Sequence, residues 1–168
     1  MIKLIVLDVD GTLTDGKLYI SNSGDEMKSF NVKDGLGITQ AIKLGKEIAI
    51  ITGKTSKIVH RRCEELGIKE IHQGIKDKIS TLDSILDKYN LSYDNIAYMG
   101  DDLIDLAVMK RCKLAGAPKD SVDEILAISD FISTKNGGDG AVREFIEFIL
   151  KKENLWENVI NNFMPTEQ

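Results

Sequence analysis

The 168-residue sequence predicts an α/β protein: a Rossmann-like doubly wound, mostly parallel sheet from which a β-hairpin projects. Three observations predict it. Short apolar runs alternate with segments of helical period, as in a parallel sheet covered by helices on both faces. A length of 168 residues with 42% hydrophobic composition suits one domain with one core. The first apolar run ends in paired aspartates, where open α/β sheets place their ligands.

Six runs read as strands: LIVLD from Leu4, EIAIIT from Glu47, KEIHQG from Lys69, NIAYMG from Asn95, KLAGA from Lys113 and DFIST from Asp130. After the first, KLYISNSGDEMKSFNV flanks the turn-forming Asn22, Ser23, Gly24 and Asp25 with strand-like residues, which predicts a hairpin flap over about residues 16–32. Between later runs, Ile79, Leu82, Ile85, Leu86 and Tyr89 fall on one helical face, as do Val142, Phe145, Ile146 and Ile149. The last stretch, within a helix and tail over about 141–168, places Trp156, Val159, Ile160 and Phe163 at helical spacing before Pro165. It is expected to extend the last helix and to pack on the core or on a neighbouring subunit. The whole of 1–168 is thus expected to be one domain, the hairpin being too small to be a second.

With 22 basic against 27 acidic residues the net charge is −5 and both signs are spread along the chain, which argues against a nucleic-acid partner. A single phosphate is not excluded, since a few local donors bind one. Cys63 and Cys112 are too few and too far apart for a disulfide framework or a metal pair. No apolar stretch approaches the roughly 18 residues of a membrane span. MIKLIVLDVDG meets an aspartate after a short apolar run, without a signal-peptide cleavage pattern, so a cytoplasmic location is expected.

Asp8 and Asp10, followed by Gly11 and Thr12, sit two apart at a strand end, so both carboxylates face one side. Asp101 and Asp102 follow NIAYMG in the same position. If the first and fourth strands are neighbours at the switch point, four carboxylates converge, and a hard cation such as Mg²⁺ relieves their repulsion. A lone aspartate at a strand end is as readily a helix N-cap; two acidic pairs at matching ends point to the metal. Thr52, with the backbone N–H groups of Gly53 and Lys54, could receive phosphoryl oxygens, and Lys78 could offset the charge of phosphate and nucleophile. Alone, a threonine after a strand is usually a cap and a lysine on a helix is usually solvated. His60 and His72 lack ligand-spaced partners, and Gly137, Gly138 and Gly140 lack the spacing of a phosphate loop, reading instead as a flexible turn that caps the last helix.

Taken in order, Asp8-Val9-Asp10-Gly11-Thr12, Thr52-Gly53, Lys78 and Gly100-Asp101-Asp102 resemble the haloacid dehalogenase (HAD) superfamily of phosphatases, and more closely its capless branch typified by 3-deoxy-D-manno-octulosonate 8-phosphate (KDO 8-phosphate) phosphatase. The resemblance runs through nearly the whole chain, including FNVKDGLGI, RRCEELGI, HQGIKDK, AGAP and GGDGAVRE. It implies a HAD-like fold without a cap domain, Asp8 as nucleophile and Asp10 as general acid and base. It also implies Mg²⁺ held by Asp8, the Asp10 backbone carbonyl and Asp101, with Asp102 in support, and a phosphoryl group oriented by Thr52 and Lys78. For the first step Asp10 needs to be protonated, which neighbouring carboxylates could favour.

For the sugar, the resemblance implies a pocket lined by Asn31, Val32, Lys33, Asp34 and Gly35, joined by Thr39, Lys54 and Arg62. Thr39 and Lys54 depart from the arginines usual there, and arginine is the better bidentate partner for a carboxylate. A related nine-carbon keto-sugar phosphate or a broad range of substrates therefore stays open beside KDO 8-phosphate. The resemblance further implies a homotetramer in which the hairpin of one subunit closes the site of the next through Leu18, Tyr19, Ile20, Met27 and Phe30. From a different class, a phospho-accepting signalling receiver shares the acidic pair, the hydroxyl and the lysine. Asp10 separates the two, because a proton-transfer group beside the nucleophile speeds loss of a phosphoryl group that a receiver must keep.

Overall fold

The structure, a computed structural model, describes residues 1–164; Pro165 and the three residues after it lie outside them. At its centre runs β1 (Leu4–Leu7), whose four residues are all buried. The hairpin strands β2 (Tyr19–Ile20) and β3 (Glu26–Met27) follow, then α1 (Val32–Lys43), β4 (Glu47–Ile51), α2 (Lys57–Glu65), β5 (Glu70–His72) and α3 (Lys78–Tyr89). The second half comprises β6 (Ile96–Met99), α4 (Leu103–Met109), β7 (Leu114–Ala117), α5 (Asp123–Leu126), β8 (Phe131–Ile132), α6 (Ala141–Lys152) and α7 (Trp156–Asn161).

All six expected strands form one parallel sheet in the order β5-β4-β1-β6-β7-β8. The chain steps outward from β1 to β4 and β5, then crosses back to β6, so β1 and β6 are neighbours at the switch point. Strand alternation divides the core. Ile5, Leu7, Ile48, Ile50, Ala97 and Met99 meet α1, α2 and α6 on one face. Leu4, Val6, Ala49, Ile51, Ile96 and Tyr98 meet α3, α4 and α5 on the other. With both faces covered, each strand must be apolar throughout, which is why the runs are legible. Full burial of one such leucine or isoleucine stabilises the fold by about 1.5–3 kcal/mol.

Asn22 and Ser23 form the turn of the hairpin, where Tyr19 pairs with Met27 and Ile20 with Glu26. The C-terminal stretch differs from the expected helix extension. Asn154, at φ +57°, stops α6 in a Schellman motif, with Leu155 N–H donating to Leu150 and Asn154 N–H to Lys151. A separate α7 then folds back and buries Val159 in the core, while Ile160 and Phe163 stay exposed. Both cysteines are free and pack among apolar residues. Among the described residues no helix is long and apolar enough to cross a membrane.

Candidate active site

The carboxyl ends of β1 and β6 carry the site. Asp8 N–H donates to Met99 O at 3.0 Å, continuing the β1–β6 ladder by one residue and setting Asp8 beside the turn that bears Asp101. Gly11 makes that approach possible. At φ +92° it turns the chain back after Asp10, and a Cβ there would stand 2.0 Å from Asp101 Oδ2. Thr12 donates to Asp101 Oδ1 at 3.2 Å.

Lys78, at the first position of α3, donates to Asp8 Oδ1 at 2.8 Å and to Asp105 Oδ1 at 2.7 Å. Sequence reasoning missed Asp105. It is fully buried and also accepts from Tyr98 OH at 2.9 Å and from Asp101 N–H at 3.2 Å. An aspartate in the otherwise apolar LIDLAVM was the available signal, but at the third position of a helix an acid reads as a dipole or cap residue. Asp102, expected to support the metal, is instead exposed, and its carboxylate caps α4 by accepting from Leu103 N–H at 2.7 Å.

Oxygens of Asp8, Asp101 and Asp105 lie within 4.8 Å of one another. Burial first, then Asp105, raises the Asp8 carboxyl to about 6, with Lys78 pulling the other way. Burial, then Asp8 and Asp105, raises Asp101 to about 8. Burial lowers the Lys78 ammonium, yet Asp8 and Asp105 outweigh it and leave the pKa raised. Counted formally, Asp8, Asp10, Asp101 and Asp105 set four negative charges against the positive ones of Lys78 and Lys28, leaving an excess of two. An all-oxygen donor set with that excess fits one hard divalent cation, held by Asp8, Asp101 and Asp105.

Asp10 is not surrounded by carboxylates as the sequence suggested. Its Oδ1 accepts from Lys28 Nζ at 2.7 Å. Thr52 is buried at the end of β4, tied through its backbone to His72 and Ile75, and its hydroxyl has no protein partner among the described residues. Gly53 and Lys54 are exposed beyond it.

The residues expected to line the sugar pocket divide. Asn31 caps α1 through Lys33 N–H, and Val32 and Lys33 are exposed. Asp34 points inward: 1% exposed, it accepts from Arg143 N–H at 2.8 Å and joins the starts of α1 and α6. Burial raises its carboxyl to about 6. Gly35 is buried against Arg62, whose Nη2 would stand 2.6 Å from a Cβ there. Arg62 lies over the Phe30 ring and reaches Glu65 at 3.6 Å. Asp34, Gly35 and Arg62 thus build the fold around a small apolar hollow shared with Leu13, Phe30 and Cys63. Thr39 bonds its own helix at Leu36 O, and neither it nor Lys54 makes a hydrogen bond to the aspartates. His72 pairs with Glu70 at 2.8 Å, and His60 is exposed beside Glu64. The glycine-rich turn is packed, not free: Gly138 N–H donates to Thr12 O, and a Cβ on Gly137 would stand 1.8 Å from Gly11 O.

Residues 68–146 match the haloacid dehalogenase-like hydrolase family. The 3-deoxy-D-manno-octulosonate 8-phosphate phosphatase of Escherichia coli K12 is 43% identical over 149 residues, which span 89% of this chain and 79% of that protein. The crystal structure of the same-named phosphatase from Moraxella catarrhalis, in complex with magnesium ion, phosphate ion and KDO, superposes with a TM-score of 0.94 at 42% identity, over 97% of this chain and 94% of that one. A cobalt-bound form of the Haemophilus influenzae phosphatase gives 0.87 at 34% identity, over 91% and 90%.

Proposed function

Since the chain belongs to the 3-deoxy-D-manno-octulosonate 8-phosphate phosphatase family of haloacid dehalogenase-like hydrolases, we propose that it hydrolyses KDO 8-phosphate to KDO and phosphate through an aspartyl-phosphate on Asp8. The observation that carries the chemistry is the grip of Lys78 on Asp8 and Asp105, with Asp101 beside them. A carboxylate so held is aimed as a nucleophile, and a buried ammonium beside it offsets charge arriving with the phosphoryl group.

Mg²⁺ is the fitting cation, and when bound by Asp8, Asp101 and Asp105 it neutralises phosphoryl oxygens. Asp8 bonds phosphorus as the bond from phosphorus to the sugar oxygen breaks, and Asp10 gives that oxygen its proton. Asp10 then takes a proton from water as the water oxygen bonds phosphorus, and Asp8 is released. Thr52, its hydroxyl unspent on the protein, donates to a phosphoryl oxygen with the backbone beyond it. Membership of a hydrolase family sets the receiver reading aside. For the sugar, the exposed Val32, Lys33 and Lys54 and the half-buried Asn31 are the available contacts, with Lys54 the cation for its carboxylate.

The exposed apolar side chains of the hairpin support the assembly reading. Leu18, Ile20 and Met27 are 65%, 79% and 69% exposed, more apolar surface than a short hairpin leaves to water without a partner. Phe30, by contrast, packs on the chain's own core. A homotetramer with the hairpin against the neighbouring site would cover Leu18, Ile20 and Met27. Sedimentation of Ile20→Lys/Met27→Lys should give monomers; a wild type that sediments as an active monomer would dispose of the assembly.

The activity is tested by phosphate release from KDO 8-phosphate beside nine-carbon keto-sugar phosphates and hexose phosphates, with Mg²⁺ and with chelator. We expect Mg²⁺-dependent release that is greatest for KDO 8-phosphate, and a fall of more than about 1,000-fold in Asp8→Asn. A preference for a nine-carbon substrate would move the assignment to that sugar; no release from any would sink it.

A further inference from the structure

Lys28 stands one residue beyond β3, and its side chain is only 6% exposed. A lysine is that buried when its charge is partnered, and here the partner is Asp10 Oδ1 at 2.7 Å. Burial draws the ammonium down, but Asp10 and Glu26 outweigh it and leave its pKa raised, so Lys28 stays charged and is the donor in this contact. The strand presenting Lys28 is itself anchored. Glu26 places Oε1 3.4 Å from Lys28 Nζ and accepts from Ser56 Oγ at 3.0 Å through Oε2, while Ser56 N–H donates to Gln73 Oε1 at 2.8 Å. Glu26 and Lys28 lie on one face of the strand and reach Ser56 and Asp10, while Met27 between them lies on the other and is exposed. One edge of the hairpin is therefore fastened to the loops after β1, β4 and β5.

The consequence lies in which oxygen of Asp10 is occupied. Oδ1 is held by Lys28, whereas among the described residues no protein group donates to Oδ2 of this partly exposed side chain. A carboxylate gripped at one oxygen is restricted in its torsions, and proton transfer is sensitive to such placement. Lys78 cannot do this, since it is committed to Asp8 and Asp105.

We propose that Lys28 is a positioning residue for both proton transfers: holding Asp10 Oδ1, it keeps Oδ2 directed first at the leaving sugar oxygen and then at the attacking water. The proposal rests on the phosphatase reading above. It assigns the hairpin a role in its own subunit's site, separate from whatever its exposed apolar side chains meet.

The test compares wild type, Lys28→Met, Lys28→Gln and Lys28→Arg on two substrates with Mg²⁺: the sugar phosphate, whose alkoxide must be protonated to leave, and an aryl phosphate, whose phenolate leaves without a proton. kcat/KM reports the steps through cleavage of the ester. For Lys28→Met it should fall about 10- to 100-fold on the sugar phosphate and stay within about threefold on the aryl phosphate. Lys28→Gln should show the same split and Lys28→Arg should recover part of the loss. In an Asp10→Asn background Lys28→Met should cost nothing more, as for groups that act as a unit.

Equal losses on both substrates, or a Lys28→Met loss that adds to that of Asp10→Asn, would overturn the proposal and leave Lys28 as packing. If Lys28→Met fails to fold, Lys28→Gln and Lys28→Arg carry the same comparison. A wild type without Mg²⁺-dependent turnover would overturn the phosphatase reading and this proposal with it, which an active wild type distinguishes.

Discussion

Asp101 and Asp102 are neighbours in sequence with opposite surroundings. Asp101 shares a partly buried cluster with Asp8 and Asp105; burial and, after it, repulsion from these two raise its carboxyl, and a divalent cation would relieve the repulsion. Asp102 faces water and caps α4. Asp101→Asn should therefore raise the Mg²⁺ concentration for half-activation by more than about tenfold and leave thermal stability equal or higher in chelator. Asp102→Ala should lose about 1 kcal/mol of stability and keep its Mg²⁺ requirement. Activity titrated with Mg²⁺ beside thermal melts checks both, and a reversed pattern would return Asp102 to the metal. Asp8, Asp10 and Asp101 were legible in the sequence because strand-end position follows from alternation alone. Asp105 and Lys28 were not, because each becomes a site residue only through a partner 27 or 18 positions away, which no local pattern encodes. Asp34 misled for the opposite reason: its place in FNVKDGLGI looks like a loop contact, but the first turn of α1 aims it at Arg143.

Between elements, the end of the sheet opposite the site is closed by one polar clamp. Glu153, just past α6, accepts from Ile2 N–H at 2.6 Å and from the buried ammonium of Lys46, which also donates to Ile2 O at 2.6 Å. The clamp joins the starts of β1 and β4 to the end of α6. Glu153→Ala would leave the Lys46 charge buried with a carbonyl as its partner. That should cost about 2–3 kcal/mol, the lower side of what breaking a buried ion pair costs because Glu153 keeps some water contact. Chemical denaturation should show the midpoint fall with catalysis at the far end of the sheet unchanged; a loss under about 0.5 kcal/mol would make the clamp a surface pair. The strands themselves were readable as apolar runs and the helices as apolar faces. The break between α6 and α7 was not, because it depends on Asn154 adopting a left-handed conformation that its side chain permits but does not announce. The glycine-rich turn was read as flexible for a similar reason, since only the fold brings Gly11 against Gly137.

At the scale of the whole molecule, the perturbed carboxylates decide how stability depends on pH. Asp8, Asp34 and Asp101 are raised in the folded protein to about 6, 6 and 8. Above the ordinary carboxylate range the native state therefore holds more protons than the unfolded chain, and stability falls as pH rises until the folded values are passed. Glu70 acts in the other direction. Although burial raises it, Lys88, His72 and Tyr89 bring it down to about 2, so its contribution is present above the ordinary range and lost as pH falls through that value. The raised ammonium of Lys78 matters only in strong alkali. In chelator, the melting temperature should thus be highest near pH 4–5 and decline steadily to about pH 8. A cation on Asp8, Asp101 and Asp105 reverses part of this, because it binds the deprotonated carboxylates and displaces the protons they retain. The rise in melting temperature on adding Mg²⁺ should grow from pH 5 to pH 8, where the metal-free protein is weakest. Melts across that range, with and without the ion, test the cluster independently of any substrate. A metal-free melting temperature that is flat or climbs toward pH 8 would mean that Asp8, Asp34 and Asp101 do not retain extra protons in the folded protein.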